Sequence, residues 1–249
     1  MKKFATVIMA AGKGTRMKDA TKAKVMFEVM GKPMVQHVVE TAQALGSDRI
    51  ITIIGYQRES VEAHLRTVAP TVEFAVQDPQ LGTGHAVMQA EPFLRNYEGD
   101  VIVLSGDVPL LRKETIQKLF DYHRENNAAG TILTARLDDP TGYGRILRSN
   151  NGYVVGIMEH KDATEEQRKI NEINSGIYIF DTRYLFTALQ HINPHNAQNE
   201  YYLTDVFGHF WEQKLVVAAM VTGDANEIRG VNTVEQLQEA EEVLKSRNK

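Results

Sequence analysis

Hydrophobic positions along the chain alternate between two spacings. Phe4 to Met9 is a continuous apolar run, as expected of a strand covered on both faces. From Pro33 the spacing changes to a helical one, with Val35, Val38, Val39, Ala42 and Leu45 on one face and Gly46 at the stop position. Arg49 to Ile54 reads as a second strand. Glu59 to Val68 reads as a helix with Val61, Leu65 and Val68 inward. Val72 to Val76 is a third strand, followed by a glycine-rich loop and a helix near His85 to Ala90. Val101 to Leu104 is a fourth strand. Leu111 to Asn126 is helical, with Ile116, Leu119 and Phe120 apolar, and Thr131 to Leu137 returns to strand.

This alternation predicts an α/β fold: a Rossmann-like, mostly parallel sheet with helices on both faces. The pattern shortens after Pro140. Strands are expected at Gly144 to Arg148, Tyr153 to Met158, Ile173 to Phe180 and Val216 to Val221. Helices are expected near Thr164 to Ile170, Thr182 to Leu189 and Val234 to Leu244, with a weaker helical pattern at Tyr201 to Trp211. No repeat or low-complexity linker divides the chain. One domain over 1–249 is expected, with a first half (1–137) and a smaller, β-rich second half (138–249) that forms the other wall of a cleft.

In sheets of this kind ligands bind beyond the carboxyl ends of the strands. Three polar segments fall there, at 10–16, 77–84 and 105–107. The first, Ala10-Ala11-Gly12-Lys13-Gly14-Thr15-Arg16, puts two glycines and two cations within five positions. Glycines let backbone N–H groups approach a phosphate, and Lys13 and Arg16 offset its charge. It is neither a P-loop nor a G-x-G-x-x-G fingerprint, and spacing alone leaves a solvated βα turn equally open. The second, Gln77 to His85, supplies amide, hydroxyl and glycine backbone suited to the edge of a planar base, or it is a plain loop. In the third, Asp107 after Gly106 is either a Mg²⁺ ligand or the N-cap of the next helix. Asn174-Ser175-Gly176 places polar groups inside an apolar strand, where each needs a partner. Glu159 to Asp162 is a charge run that, taken alone, reads as a solvated loop.

Composition narrows the classes. Of the 249 residues, 43% are hydrophobic and 24% charged, ordinary values for a globular protein with a sizeable core. The formal net charge is −4 with no basic stripe, which argues against nucleic acid or an anionic membrane as partner. No apolar run reaches the roughly 20 residues that span a bilayer. With no cysteine, disulfides and thiolate sites are excluded, which fits a cytoplasmic location. Met1-Lys2-Lys3 ahead of an apolar run also suits the start of a secretory leader. The run is short, however, and leads directly into the glycine-rich loop, so a buried first strand is the reading adopted.

Nine segments together resemble one family. They are MAAGKGTRM at 9–17, GKPMVQHVV at 31–39, QLGTGHAV at 80–87, GDVPLL at 106–111, DPTGYGRI at 139–146, EHKDAT at 159–164, EINSGI at 172–177, EYYLTD at 200–205 and GVN at 230–232. In this order they resemble the uridyltransferase half of the bacterial bifunctional N-acetylglucosamine-1-phosphate uridyltransferase and glucosamine-1-phosphate acetyltransferase. The resemblance implies a Mg²⁺-dependent enzyme joining UTP to N-acetylglucosamine 1-phosphate, with release of pyrophosphate, in support of cell-wall precursor synthesis.

It also implies that the first half (1–137) binds the nucleotide and the second (138–249) the sugar, and it implies site roles. Met9, Ala10, Ala11, Gly12 and Gly14 would line the nucleotide site. Lys13, Arg16 and Lys24 would meet the phosphates. Gln77, Gly82 and Thr83 would read uracil, and Asp107 and Asn232 would hold Mg²⁺. Ser105, Gly106, Gly144, Glu159 and Asn174 would hold the sugar, bordered by 200–205. Three departures from the family stand out. Ala23 replaces a proline before Lys24, in a loop one residue longer and with Lys22 nearby. Ser105 replaces a tyrosine. No hexapeptide repeats follow, so acetyltransfer is expected to be absent, and the family trimer is not implied. The competing expectations are a glucose-1-phosphate uridylyl- or thymidylyltransferase on the same fold, and a non-catalytic nucleotide-sugar-binding protein. The second would be expected to lose the charged residues that this chain keeps.

Overall fold

A computed structural model describes residues 3–17, 19 and 21–247. Met1 and Lys2, from the leader considered above, and Lys18 and Ala20, from the lengthened loop, lie outside the described residues. The elements run as β1 (Phe4–Ala10), β2 (Glu28–Val29), β3 (Lys32–Pro33), α1 (Met34–Ala44), β4 (Arg49–Ile54), α2 (Arg58–Val68), β5 (Glu73–Val76), α3 (Thr83–Met88), α4 (Glu91–Leu94) and β6 (Asp100–Ser105). They continue with α5 (Lys113–Glu125), β7 (Gly130–Arg136), β8 (Arg145–Arg148), β9 (Val154–Met158), α6 (Glu165–Arg168), β10 (Glu172–Asp181), α7 (Thr182–Leu189), α8 (Asp205–Glu212), β11 (Val217–Val221) and α9 (Val234–Arg247).

The main sheet has the order β11-β7-β10-β6-β1-β4-β5, with β8 and β9 attached beside β10. β6, β1, β4 and β5 pair in parallel, as do β7 and β11. This is the mostly parallel α/β sheet that the alternation of strand and helix predicts. Alternate residues of each strand enter opposite cores, following the two-residue period of a strand. Phe4, Ile8, Ile102 and Leu104 pack with Val35 and Val38 of α1, Leu65 of α2 and Leu119 and Phe120 of α5. Ala5, Val7, Val101 and Val103 pack on the other face with Val87 of α3, Leu185 of α7 and Phe207 and Phe210 of α8.

β10 lies between β6 and β7 and runs antiparallel to both, so a strand from the second half of the chain is central to the sheet. Its composition explains the place. Ile173, Ile177 and Ile179 face one core while Tyr178 and Phe180 face the other. A strand that is apolar on both sides is stable only when both faces are covered. Smaller differences from the expected pattern are local. Val68, expected inward, is 40% exposed at the end of α2. α5 starts at Lys113, two residues late. The two-residue strands β2 and β3 were not anticipated, and at that length hydrophobic periodicity carries no signal.

Candidate active site

Because β1, β5 and β6 are parallel members of one sheet, their carboxyl ends deliver the three polar segments to the same edge. A cavity of about 480 Å³ opens there. Met9, Ala10, Ala11, Gly12 and Lys13 line it from the end of β1, Gln77 and Gln80 from beyond β5, and Gly82 and Thr83 from the start of α3. Ser105 and Asp107 line it from β6, with Lys24 and Glu200 closing other sides. Gly106 sits at the seam, its N–H donating to Met9 O at 2.9 Å.

The cationic corner is built by close approach. Gly14 has φ of +63°, and a Cβ there would run into the Lys24 side chain. Glycine therefore permits both the left-handed turn and the contact. A short 3₁₀ turn, Lys24–Met26, then directs Lys24 inward. Its Nζ forms an ion pair with Asp107 Oδ2 and donates to Asn232 Oδ1 at 2.7 Å. Arg16 Nη2 donates to the same Asn232 oxygen at 2.7 Å. Asp107 is thus engaged by Lys24, and the residue preceding α5 is Arg112, so Asp107 does not cap that helix. Lys22 sits elsewhere, 3.8 Å from Glu28 and over the Phe27 ring.

Elsewhere in the lining, Gln77 Nε2 donates to Gly82 O at 2.9 Å and lies 3.2 Å from His85 Nδ1. Burial lowers the pKa of His85, which favours the neutral ring as acceptor for that amide. Thr83 Oγ1 accepts the Leu203 N–H at 3.0 Å, and Gly84 N donates to Tyr201 O at 2.7 Å. The first turn of α3 is therefore tied to the 200–205 segment.

Gly144, Glu159 and Asn174 meet in a second group, none of them in the lining of that cavity. A Cβ on Gly144 would stand 3.3 Å from both Glu159 carboxylate oxygens and 3.4 Å from Asn174 Cβ. Thr204 Oγ1 donates to Glu159 Oε1 at 3.3 Å. Burial raises the pKa of Glu159, the negative charges of Asp205 and Asp162 add to the rise, and the Thr204 hydrogen bond opposes it. The charge run at 159–162 is therefore no plain solvated loop, since its first carboxylate turns inward. Asn174 donates to Tyr178 OH at 2.7 Å and accepts the Gly176 N–H at 3.2 Å, across an irregularity in the β10–β7 pairing. Gly176, with φ of +79°, comes near Ser105: a Cβ there would lie 3.6 Å from Ser105 Oγ.

Val25, Gln80 and Ala86 also line the cavity, beyond the residues singled out from sequence. Gln80 lies inside the QLGTGHAV segment, so its place in the chain was a usable signal. Ala86 lies in the same segment, whereas Val25 is apolar, lies outside the quoted segments and carried none.

The fold and this edge of the sheet define a class. The chain belongs to the nucleotidyl transferase family, whose model matches residues 5–239. Within it, the chain is similar over nearly its whole length to proteins named bifunctional protein GlmU. It is 51% identical over 241 residues to that of Halalkalibacterium halodurans, covering 97% of this chain and 52% of the relative. It is 48% identical over 246 residues to that of Bacillus subtilis, covering 99% and 53%. The chain spans about half the length of the curated relatives it matches. Among solved structures, a UDP-glucose pyrophosphorylase complexed with UDP-glucose superposes with a TM-score of 0.80 at 20% identity, covering 99% of this chain and 100% of that one. A putative glucose-1-phosphate thymidylyltransferase from Bacillus anthracis gives 0.74 at 21% identity, covering 96% and 94%. At such identities these two likenesses show the fold.

Proposed function

We propose that the chain transfers a uridylyl group from UTP to N-acetylglucosamine 1-phosphate, releasing pyrophosphate. The observation that carries this is one cavity lined by Lys13, Lys24 and Asp107 together with Gln77, Gly82 and Thr83, with Asn232 joined to Lys24 and Arg16 joined to Asn232. A triphosphate needs the first group and a base needs the second. The similarity to GlmU proteins over nearly the whole chain supports the choice of substrates. In this reading residues 1–137 serve mainly the nucleotide and 138–249 mainly the sugar, within one domain.

The donor set fits Mg²⁺. Asp107 and Asn232 offer one carboxylate and one amide oxygen to a single cation position, represented by Lys24 Nζ. Among the described residues, no cluster of three or more His, Asp or Glu side chains forms an all-protein site. One carboxylate with the balance left to phosphates and water is the usual arrangement for Mg²⁺. When bound, the ion would withdraw charge from the phosphates.

The protein's own part is positioning and charge stabilisation. Lys13 and the glycine-rich backbone hold the triphosphate against the end of β1. Arg16 and Lys24 place positive charge where pyrophosphate departs. Gln77 has its amide nitrogen committed to Gly82 O and His85, so its carbonyl oxygen is the group left to accept from uracil N3–H. Glu159 and Asn174 bind sugar hydroxyl and amide groups beside Gly144. The sugar phosphate attacks the α-phosphorus in line; its oxygen is already anionic, so no general base and no covalent intermediate are required.

The substrates are small molecules, and neither nucleic acid nor membrane is a proposed partner. Among the described residues, no helix is long and apolar enough to cross a membrane. A cytoplasmic location is part of the proposal. Pyrophosphate release with UTP in the presence of N-acetylglucosamine 1-phosphate, and its loss when the sugar phosphate is omitted, tests the reaction.

A further inference from the structure

Asn232 stands at the end of a loop with no regular structure, yet its amide oxygen accepts from both Arg16 and Lys24. Within the loop Asn232 Nδ2 donates to Gly230 O at 3.1 Å, and two backbone N–H groups tie the loop to its neighbours. Val231 N donates to Asp107 O at 2.9 Å, and Asn232 N donates to Gln236 Oε1 at 2.7 Å. Gln236 is in the first turn of α9, where its own N–H reaches Thr233 Oγ1 at 3.3 Å. In the usual capping box, a glutamine at this position turns back to the N–H of the cap residue. Here it reaches one residue further, to Asn232. The bond therefore serves the loop.

Helix α9 is a firm base for such a contact. Ala240 is buried, and Leu237, Val243 and Leu244 pack around Val29, Met34, Leu110 and Val231. At its far end Arg247 donates to Leu110 O at 2.7 Å and pairs with Asp224 at 3.1 Å. The helix is thus anchored to the segment that follows Asp107. Both proposed metal donors are fixed relative to one packed unit.

We propose that Gln236 is a positioning residue, whose side-chain oxygen fixes the Asn232 backbone and so aims the Asn232 amide oxygen at the cation shared with Asp107. This rests on the proposed metal role of Asn232 and Asp107. Outer partners that orient metal ligands typically change affinity by 10- to 100-fold when removed.

The test uses Mn²⁺ as a spin probe, titrated into the protein with UTP and no sugar phosphate, so that no transfer takes place. Gln236→Met keeps length and loses the acceptor; Gln236→Glu keeps the acceptor. The expected result is Mn²⁺ binding weakened by about 10-fold in Gln236→Met and retained in Gln236→Glu. Hydrogen exchange at the Asn232 amide should quicken only in the methionine variant. Equal weakening in both variants, or in neither, overturns the proposal. Asn232→Ala separates the two levels. If it weakens Mn²⁺ binding while Gln236→Met does not, only the positioning role fails. If Asn232→Ala leaves binding unchanged, the metal assignment fails and the positioning role fails with it.

Discussion

Lys24 and Asp107 form an ion pair across 83 residues of sequence, and Lys24 Nζ reaches Asn232 at the same time. The first strand's loop, the fourth long strand of the sheet and the entry to the last helix therefore meet at one charge. If that charge serves the departing pyrophosphate, Lys24→Met lowers kcat by roughly 10²–10³, the range for removal of one preorganised charge-stabilising donor. Lys22→Met, on the exposed residue paired with Glu28, leaves kcat near that of the unaltered protein. Single-turnover rates at saturating substrates check the contrast.

Gly82 marks where the loop before α3 meets the 200–205 segment. Its φ is +109°, and an added Cβ would lie 2.6 Å from Tyr201 O and 2.9 Å from Glu200 Cβ. Gly82→Ala should destabilise the fold by about 1–3 kcal/mol through backbone strain and should raise KM for UTP. Thermal unfolding and initial rates measure the two effects separately.

Glu159 gives a pH signature. Burial, with Asp205 and Asp162 nearby, raises its pKa above the usual glutamate value. If its carboxylate accepts sugar hydroxyls, KM for the sugar phosphate rises as pH falls through that raised pKa, and this component is missing in Glu159→Gln. The linkage sign is the reverse of a salt-bridged acid. The native state holds this proton more tightly than the unfolded chain, so stability falls as pH rises from the unfolded pKa to the folded one. Glu159→Gln should therefore melt higher than the unaltered protein at pH 7 to 8 while binding sugar phosphate more weakly. Unfolding curves across that pH range check the sign.

Glu172 behaves oppositely. Burial alone would raise its pKa, but the Arg148 guanidinium and the Thr134 hydroxyl outweigh it and hold the carboxyl below its usual range. Its contribution to stability is present above the unfolded pKa and is lost as pH falls through the folded one. Arg148→Met should cost about 2 kcal/mol at pH 7, below the ~3–5 for a fully buried pair because Arg148 is partly exposed. Denaturant unfolding at pH 7 and near pH 4 checks it, the difference between variants shrinking at the lower pH.

The regular half of the fold was legible because Phe4–Ala10 is a continuous apolar run of strand length and Met34–Ala44 carries a helical period. The central place of β10 was harder to see. Ile173 to Phe180 shows that both faces must be covered, yet periodicity says nothing about which neighbours cover them. At the site, the glycine-rich, charged loops at strand ends suited phosphate by residue chemistry alone, with a plain βα turn equally open. Asn232 entered only through family resemblance, since one asparagine in a short loop carries no pattern. Gln236 was invisible, because a glutamine in the first turn of an exposed helix looks like an ordinary surface residue until its partner is known.

The most direct measurement is a competition. UTP and Mg²⁺ are supplied with equal concentrations of N-acetylglucosamine 1-phosphate, glucose 1-phosphate and N-acetylgalactosamine 1-phosphate, and the nucleotide-sugar products are resolved by chromatography. UDP-N-acetylglucosamine should dominate, with pyrophosphate formed in equal amount. Predominant UDP-glucose, or no nucleotide sugar at all, would contradict the proposed reaction.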